Sequence, residues 1–143
     1  MTSALKVEAY LTNTGTVLDY VEAVISKHIQ SELLLADILL VVEEIFVNIA
    51  HYAYEPDAEK FVDMSISIHE DVVIRFEDSG KPFDPTTKEA PNLDVPIAER
   101  EIGGLGWHLV KEFTDKIAYE YVNGKNILTI TKKLDKVNQL CNV

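Results

Sequence analysis

The sequence predicts an α+β two-layer sandwich, a sheet on one side and helices on the other. Three observations predict it. Stretches of alternating apolar residues and stretches of helical spacing follow one another in the order β-α-α-β-β-loop-α-β-β. The second and third strands, and the fourth and fifth, are separated only by turn residues, so they pair antiparallel, which argues against a doubly wound parallel sheet. The length of 143 residues suits one domain, residues 1–143, large enough to bury a core without disulfides or metals. The core spans about 5–134, and residues 135–143 read as a frayed tail.

The elements follow in order. Residues 6–11 alternate as a short strand, and Asn13-Thr14-Gly15 punctuates it. Thr14 or Thr16 is placed to cap a first helix, whose Val17, Val21, Val24 and Ile25 recur at helical spacing as far as about residue 29. Residues 31–54 carry the longest helical pattern, with Leu35, Ile38, Leu39, Val42, Ile45, Phe46, Ile49 and Ala53 in its apolar stripe. Pro56 and Asp57 stop it. Residues 61–69 and 72–76 are two strands turned at Glu70-Asp71. Residues 79–103 show no period and hold Pro82, Pro85, Pro91 and Pro96, the mark of a functional loop. Residues 105–113 are helical, and residues 117–122 and 127–134 are strands joined across Asn123-Gly124, a strong hairpin signal.

Composition narrows the function. The net charge of -11 repels nucleic acid and anionic membranes from the chain as a whole; it reads first as solubility and second as a fit to a partner with a basic surface. The longest apolar runs fall far short of a membrane span, and no basic segment followed by an apolar stretch opens the chain. Cys141 is the single cysteine, so no disulfide forms within the chain. The expected location is the cytoplasm. His28, His69 and His108 lack ligand-like spacing, and no Ser-His-Asp or Cys-His arrangement is visible.

Three constellations carry chemistry. Glu44 and Asn48 lie one turn apart and interrupt an apolar helix. By themselves they read as a solvated stripe; the functional reading is a carboxylate that abstracts a proton and an amide oxygen that binds a metal. The stretch from Asp78 through Gly80 to Pro85 follows a strand directly. It reads as a turn, or as a carboxylate that accepts from an amino group beside a glycine that admits a ring. Gly103-Gly104-Leu105-Gly106 opens a helix, and it reads as a hinge or as an anion site of free backbone N–H groups. It matches neither the P-loop nor the dinucleotide fingerprint.

In this order and spacing the three constellations resemble the N, G1 and G2 boxes of the GHKL (Bergerat) ATPases. Within that superfamily the segments EIFVNIAHYAY (44–54), DSGKPFDP (78–85) and GGLGWHLVKEFTDKIAY (103–119) are most similar to bacterial anti-sigma factor serine/threonine kinases. The resemblance implies the Bergerat fold, a mixed sheet of about five strands with three helices on one face. It implies ATP and Mg²⁺ as cofactors. Glu44 would be the general base and Asn48 the Mg²⁺ ligand. Asp78 would bind the adenine amino group, with Gly80 giving room beside the base. Gly103, Gly104, Leu105 and Gly106 would form the phosphate-binding glycine segment, and residues 84–103 the ATP lid. Family members carry a Thr on a late strand near the adenine; Thr129 is the candidate, with Thr131 competing.

The register Asn126-Ile127-Leu128-Thr129 departs from the family's usual pattern, and the chain departs from it in two more places. Tyr52 stands where several relatives have His, with His51 before it. Ile102 and Gly103 stand where some relatives have Arg, which leaves Arg100 or Lys81 to reach the γ-phosphate. The lone Trp107 is expected to pack at the start of its helix. The resemblance implies a serine/threonine kinase acting as an anti-sigma factor. It would phosphorylate a STAS-domain anti-anti-sigma protein, sequester a sigma factor and form a homodimer on the sheet side. The alternative is a nucleotide-gated module of the same fold that binds a regulator without phosphorylating it.

Overall fold

The structure, a computed structural model, describes residues 1–52, 61–87 and 104–134. Five strands run as β1 (Thr2–Glu8), β2 (Phe61–Ile68), β3 (Asp71–Asp78), β4 (Lys116–Val122) and β5 (Lys125–Lys133). Three helices accompany them, α1 (Thr14–Ser26), α2 (Glu32–Tyr52) and α3 (Gly104–Phe113). The five strands form one sheet in the order β1-β2-β3-β5-β4.

Every pairing in that sheet is antiparallel, where a mixed sheet was expected. The reason lies in the last hairpin. The connection through α3 brings β4 back parallel to β3, one strand further out. β5 then returns from the Asn123-Gly124 turn and fills the gap between them, antiparallel to both. Asn123 and Gly124 both have positive φ, 54° and 77°, as a two-residue primed turn requires.

Alternation sorts each strand into two faces. Val62, Met64, Ile66 and Ile68 of β2 and Val72, Ile74 and Phe76 of β3 are buried on one face, aligned with Leu128 and Ile130 of β5. The helices cover that face with Val17, Val21 and Ile25 of α1, Ile38, Val42, Ile45 and Phe46 of α2, and Val110 of α3, in one continuous core. On the opposite face Arg75 and Lys125 both pair with Glu77, at 3.3 and 3.2 Å.

Element ends differ from expectation where side chains rather than periodicity set them. β1 begins four residues earlier than expected, because its edge pairs with β2 from Thr2 onward and the Met1 ammonium donates to the Ile68 carbonyl. No side chain caps α1: Asn13 donates back to the Glu8 carbonyl and Thr14 to that of Leu11. α2 is capped, as Ser31 Oγ accepts the Leu34 N–H at 3.1 Å. The expected continuation of α2 to residue 54, its stop at Pro56, and the tail 135–143 lie outside the described residues.

Candidate functional site

The site is built from polar groups buried in an otherwise apolar layer. Among the described residues only Asn48, Asp78 and Asn126 are polar and buried, at 7%, 6% and 6% exposure. Burial of polar groups is unfavourable unless they are satisfied, so three at one place need a reason. All three line one pocket that opens to solvent. Ile45 and Ile49 of α2, Phe83 and Pro85 of the following loop, Trp107 of α3, Tyr119 of β4 and Leu128 of β5 complete its wall.

α2 supplies Asn48 on the same face as Ile45 and Ile49, the helical spacing that points one stripe at the sheet. Its Nδ2 donates to the Glu44 carbonyl at 2.8 Å. Its Oδ1 is buried and has no partner among the described residues. A buried acceptor left open in this way is a place for a ligand or a cation. Glu44 is half-buried one turn earlier and is absent from the pocket lining. Burial, then the neighbouring Glu43 charge, raise its carboxyl above the ordinary range.

β3 ends at Asp78, which faces the pocket. Its Oδ1 accepts from the Gly80 N–H at 2.9 Å and from Asn126 Nδ2 at 3.0 Å. Burial pushes its pKa up, and the bonds from Asn126 and Gly80 pull it back. Gly80 is buried beneath this turn. Lys81 is exposed on the same loop, and Asp84 caps the 3-10 turn Pro85–Thr87 by accepting the Thr86 N–H at 2.9 Å.

Sequence reasoning missed Asn126. It pairs directly with Asp78 across the β3–β5 ladder and so meets its carboxylate. Thr129, expected there, pairs with Arg75 and lies on the opposite face of the sheet, as does Thr131 opposite Val73. A side-chain period of two sends odd-numbered β5 residues away from the helices, so neither threonine reaches the pocket. The signal was present: the Asn123-Gly124 turn sets the hairpin register, and Asn126 is an amide among apolar residues.

The backbone of Gly104, Leu105 and Gly106 forms the first turn of α3, whose N–H groups lack helical acceptors. The next residue, Trp107, is buried in the pocket wall, so that turn opens beside the pocket. Trp107 Nε1 is a second buried atom without a partner among the described residues. Its burial agrees with the packing expected of it. Gly103, Arg100 and residues 88–103 of the expected lid lie outside the described residues.

Sheet, helices and pocket together define an α+β two-layer domain with a pocket lined from both layers. The chain belongs to the histidine kinase-like ATPase domain family, whose model matches residues 7–132. The resemblance to the GHKL ATPases thus holds for nearly the whole sequence. Among curated relatives, a serine/threonine-protein kinase, BtrW, of Bordetella bronchiseptica is 24% identical over 131 residues, 91% of this chain and 92% of that one. The anti-sigma F factor of Priestia megaterium is 29% identical over 111 residues, 76% of each chain. Two solved structures share the fold at 14% identity. The RsbU and RsbW domains of Rv1364c from Mycobacterium tuberculosis give a TM-score of 0.63 over 92% of this chain and 32% of that one. The histidine kinase domain of the blue-light activated kinase EL346 from Erythrobacter litoralis gives 0.54 over 89% of this chain and 61% of that one. No helix among the described residues is long and apolar enough to cross a membrane.

Proposed function

We propose that the pocket binds Mg·ATP and that the chain is a protein serine/threonine kinase of the anti-sigma factor type. Its substrate would be a STAS-domain anti-anti-sigma protein, and its second partner a sigma factor held by a cytoplasmic homodimer. The observation that carries the reading is the pocket shared by Asn48 and Asp78, in which a buried amide oxygen without a partner among the described residues lies with a buried carboxyl group. Relatives named as a serine/threonine kinase and an anti-sigma F factor support the activity and the partner classes.

Each residue then has a task. Asp78 Oδ2 accepts from the adenine amino group, and Gly80 lets the ring lie against the backbone. Asn48 Oδ1 fits the magnesium ion, because its amide offers oxygen without adding charge beside phosphates. When bound, the ion neutralises phosphate charge and orients the transferred group. The first-turn N–H groups of α3, with Gly103 before them, hold phosphate oxygens. Glu44 accepts the proton of the attacking hydroxyl, and its raised pKa brings it nearer the pH at which a base works well. Lys81 or Arg100 would contact the γ-phosphate, and residues 84–103 would serve as the lid that excludes water.

The absence of Glu44 from the pocket lining favours the second reading, a nucleotide-gated binding module without transfer. Two measurements decide between them. Thermal melting with Mg·ATP at 100 times Kd should show stabilisation by about 2.7 kcal/mol, abolished by Asp78→Asn. Transfer of labelled phosphate to a STAS-domain partner should occur with the wild type and stop with Glu44→Gln, with nucleotide binding retained. Binding without transfer by the wild type establishes the module; no melting shift with folded protein refutes both readings.

A further inference from the structure

Asn126 is engaged at both ends of its amide. Oδ1 accepts the Phe83 N–H at 3.1 Å and the Tyr119 hydroxyl. Nδ2 donates to Asp78 Oδ1 at 3.0 Å, the Lys81 carbonyl at 2.9 Å and the Gly80 carbonyl at 3.3 Å. The orientation follows from the partners: a backbone N–H lies at one end and two backbone carbonyls at the other, so a flipped amide would set donor against donor. Burial raises the Tyr119 hydroxyl most, the Phe83 backbone lowers it by less, and the Asp84, Asp78 and Tyr121 charges raise it further, so it remains a donor through neutral pH. Asn126 therefore fixes the Asp78 turn on β5 and commits its own N–H groups to that turn.

The consequence concerns which base the pocket accepts. Asp78 sits where burial favours its neutral form, and a neutral carboxyl carries a donor as well as an acceptor. An ionised carboxylate accepts the amino group of adenine and repels the carbonyl of guanine. A protonated one can donate to that carbonyl. We propose that Asn126 is the specificity-determining residue of the pocket: by donating to Asp78 Oδ1 it holds Asp78 as a pure acceptor and so selects adenine over guanine nucleotides. Asn126 acts through Asp78 and is thus a positioning residue. The inference rests on the reading that Asp78 receives the base. The titratable group that faces Asp78 from β4 is Tyr119, which also feels the charges of Asp84 on the loop and Tyr121 on its own strand. The side-chain and backbone bonds that lower the Asp78 carboxyl come from Asn126 and Gly80.

Calorimetric titration of the full chain with Mg·ATP and Mg·GTP between pH 5.5 and 8.5 tests this. Wild type should prefer ATP, and Asp78→Asn should lose that preference. Asn126→Leu removes the donor while keeping the volume. It should lower the ATP-over-GTP ratio by roughly 10- to 100-fold, the range expected for a hydrogen bond to a charged group. The fall in ATP binding with decreasing pH should also move to higher pH, because Asp78 now protonates more readily. Asn126→Asp keeps the shape, so it serves if the leucine variant fails to fold. Its two carboxylates should share a proton, giving weak ATP binding at pH 8.5 that recovers as pH falls. A uniform loss of both nucleotides, with ratio and pH profile unchanged, would overturn the specificity role and leave the nucleotide reading intact. Failure of the wild type to bind ATP, or an Asp78→Asn variant with wild-type selectivity, would overturn that reading and this inference with it.

Discussion

A buried carboxylate is a poor choice for stability, and Asp78 makes the conflict measurable. Its pKa is raised chiefly by burial, so the folded protein binds that proton more readily than the unfolded chain does. The protonated group favours folding below the ordinary carboxylate range, and this contribution is lost as pH rises through the folded value. Asp78→Asn should therefore melt higher than the wild type at pH 7, with the advantage vanishing in acid. Melting curves across pH 3.5–8 check this, and equal stability at every pH would contradict the burial argument. Such a gain, coupled to lost nucleotide binding, is the usual relation between a functional site and the stability it gives up. Asn48 presents the same conflict, with its amide oxygen buried and open.

The elements place these residues, and their ends matter as much as their faces. α2 carries both Glu44 and Asn48, and its start is held by Ser31. Ser31→Ala removes that cap and should destabilise the fold by about 1 kcal/mol in urea titration, with an unchanged m-value. A changed m-value would mean that the helix end is reorganised rather than merely uncapped. The β4–β5 hairpin sets the other half of the site. Its turn fixes Val122 opposite Lys125, and that register brings Asn126 to Asp78 on the neighbouring strand. A slip of one residue would turn Asn126 away and present Ile127 to the pocket. A Cβ at Gly124 would meet nothing within 4 Å, so the glycine is there for its backbone angle alone.

Across the whole molecule, the two layers share one core, and the pocket opens at an edge of it. Phe46 is fully buried on α2 and belongs to that core. Phe46→Ala should lower stability by about 3–5 kcal/mol, a large share of the ~5–15 kcal/mol typical of a domain. One unfolding transition, shifted as a unit, is the expected result by circular dichroism and by Trp107 fluorescence together. Separate transitions would show that α2 and α3 do not unfold with the sheet.

The sequence alone was sufficient for much of this protein. Its five strands, three helices, helical face and Asn-Gly hairpin are local properties, written in periodicity and turn chemistry. So are Glu44, Asn48 and Asp78 as candidates, since each interrupts or ends an apolar pattern at a telling position. Tertiary structure decided what local patterns leave open. It inserted β5 between β3 and β4, which made the sheet antiparallel throughout. It sent Thr129 to the far face and brought Asn126 to Asp78, because strand register depends on a partner 48 positions away in sequence. It also left Glu44 outside the pocket wall that holds Asn48, although one helical turn separates them. Periodicity says which face of an element a residue occupies; only the packing of one element on another says what that face meets.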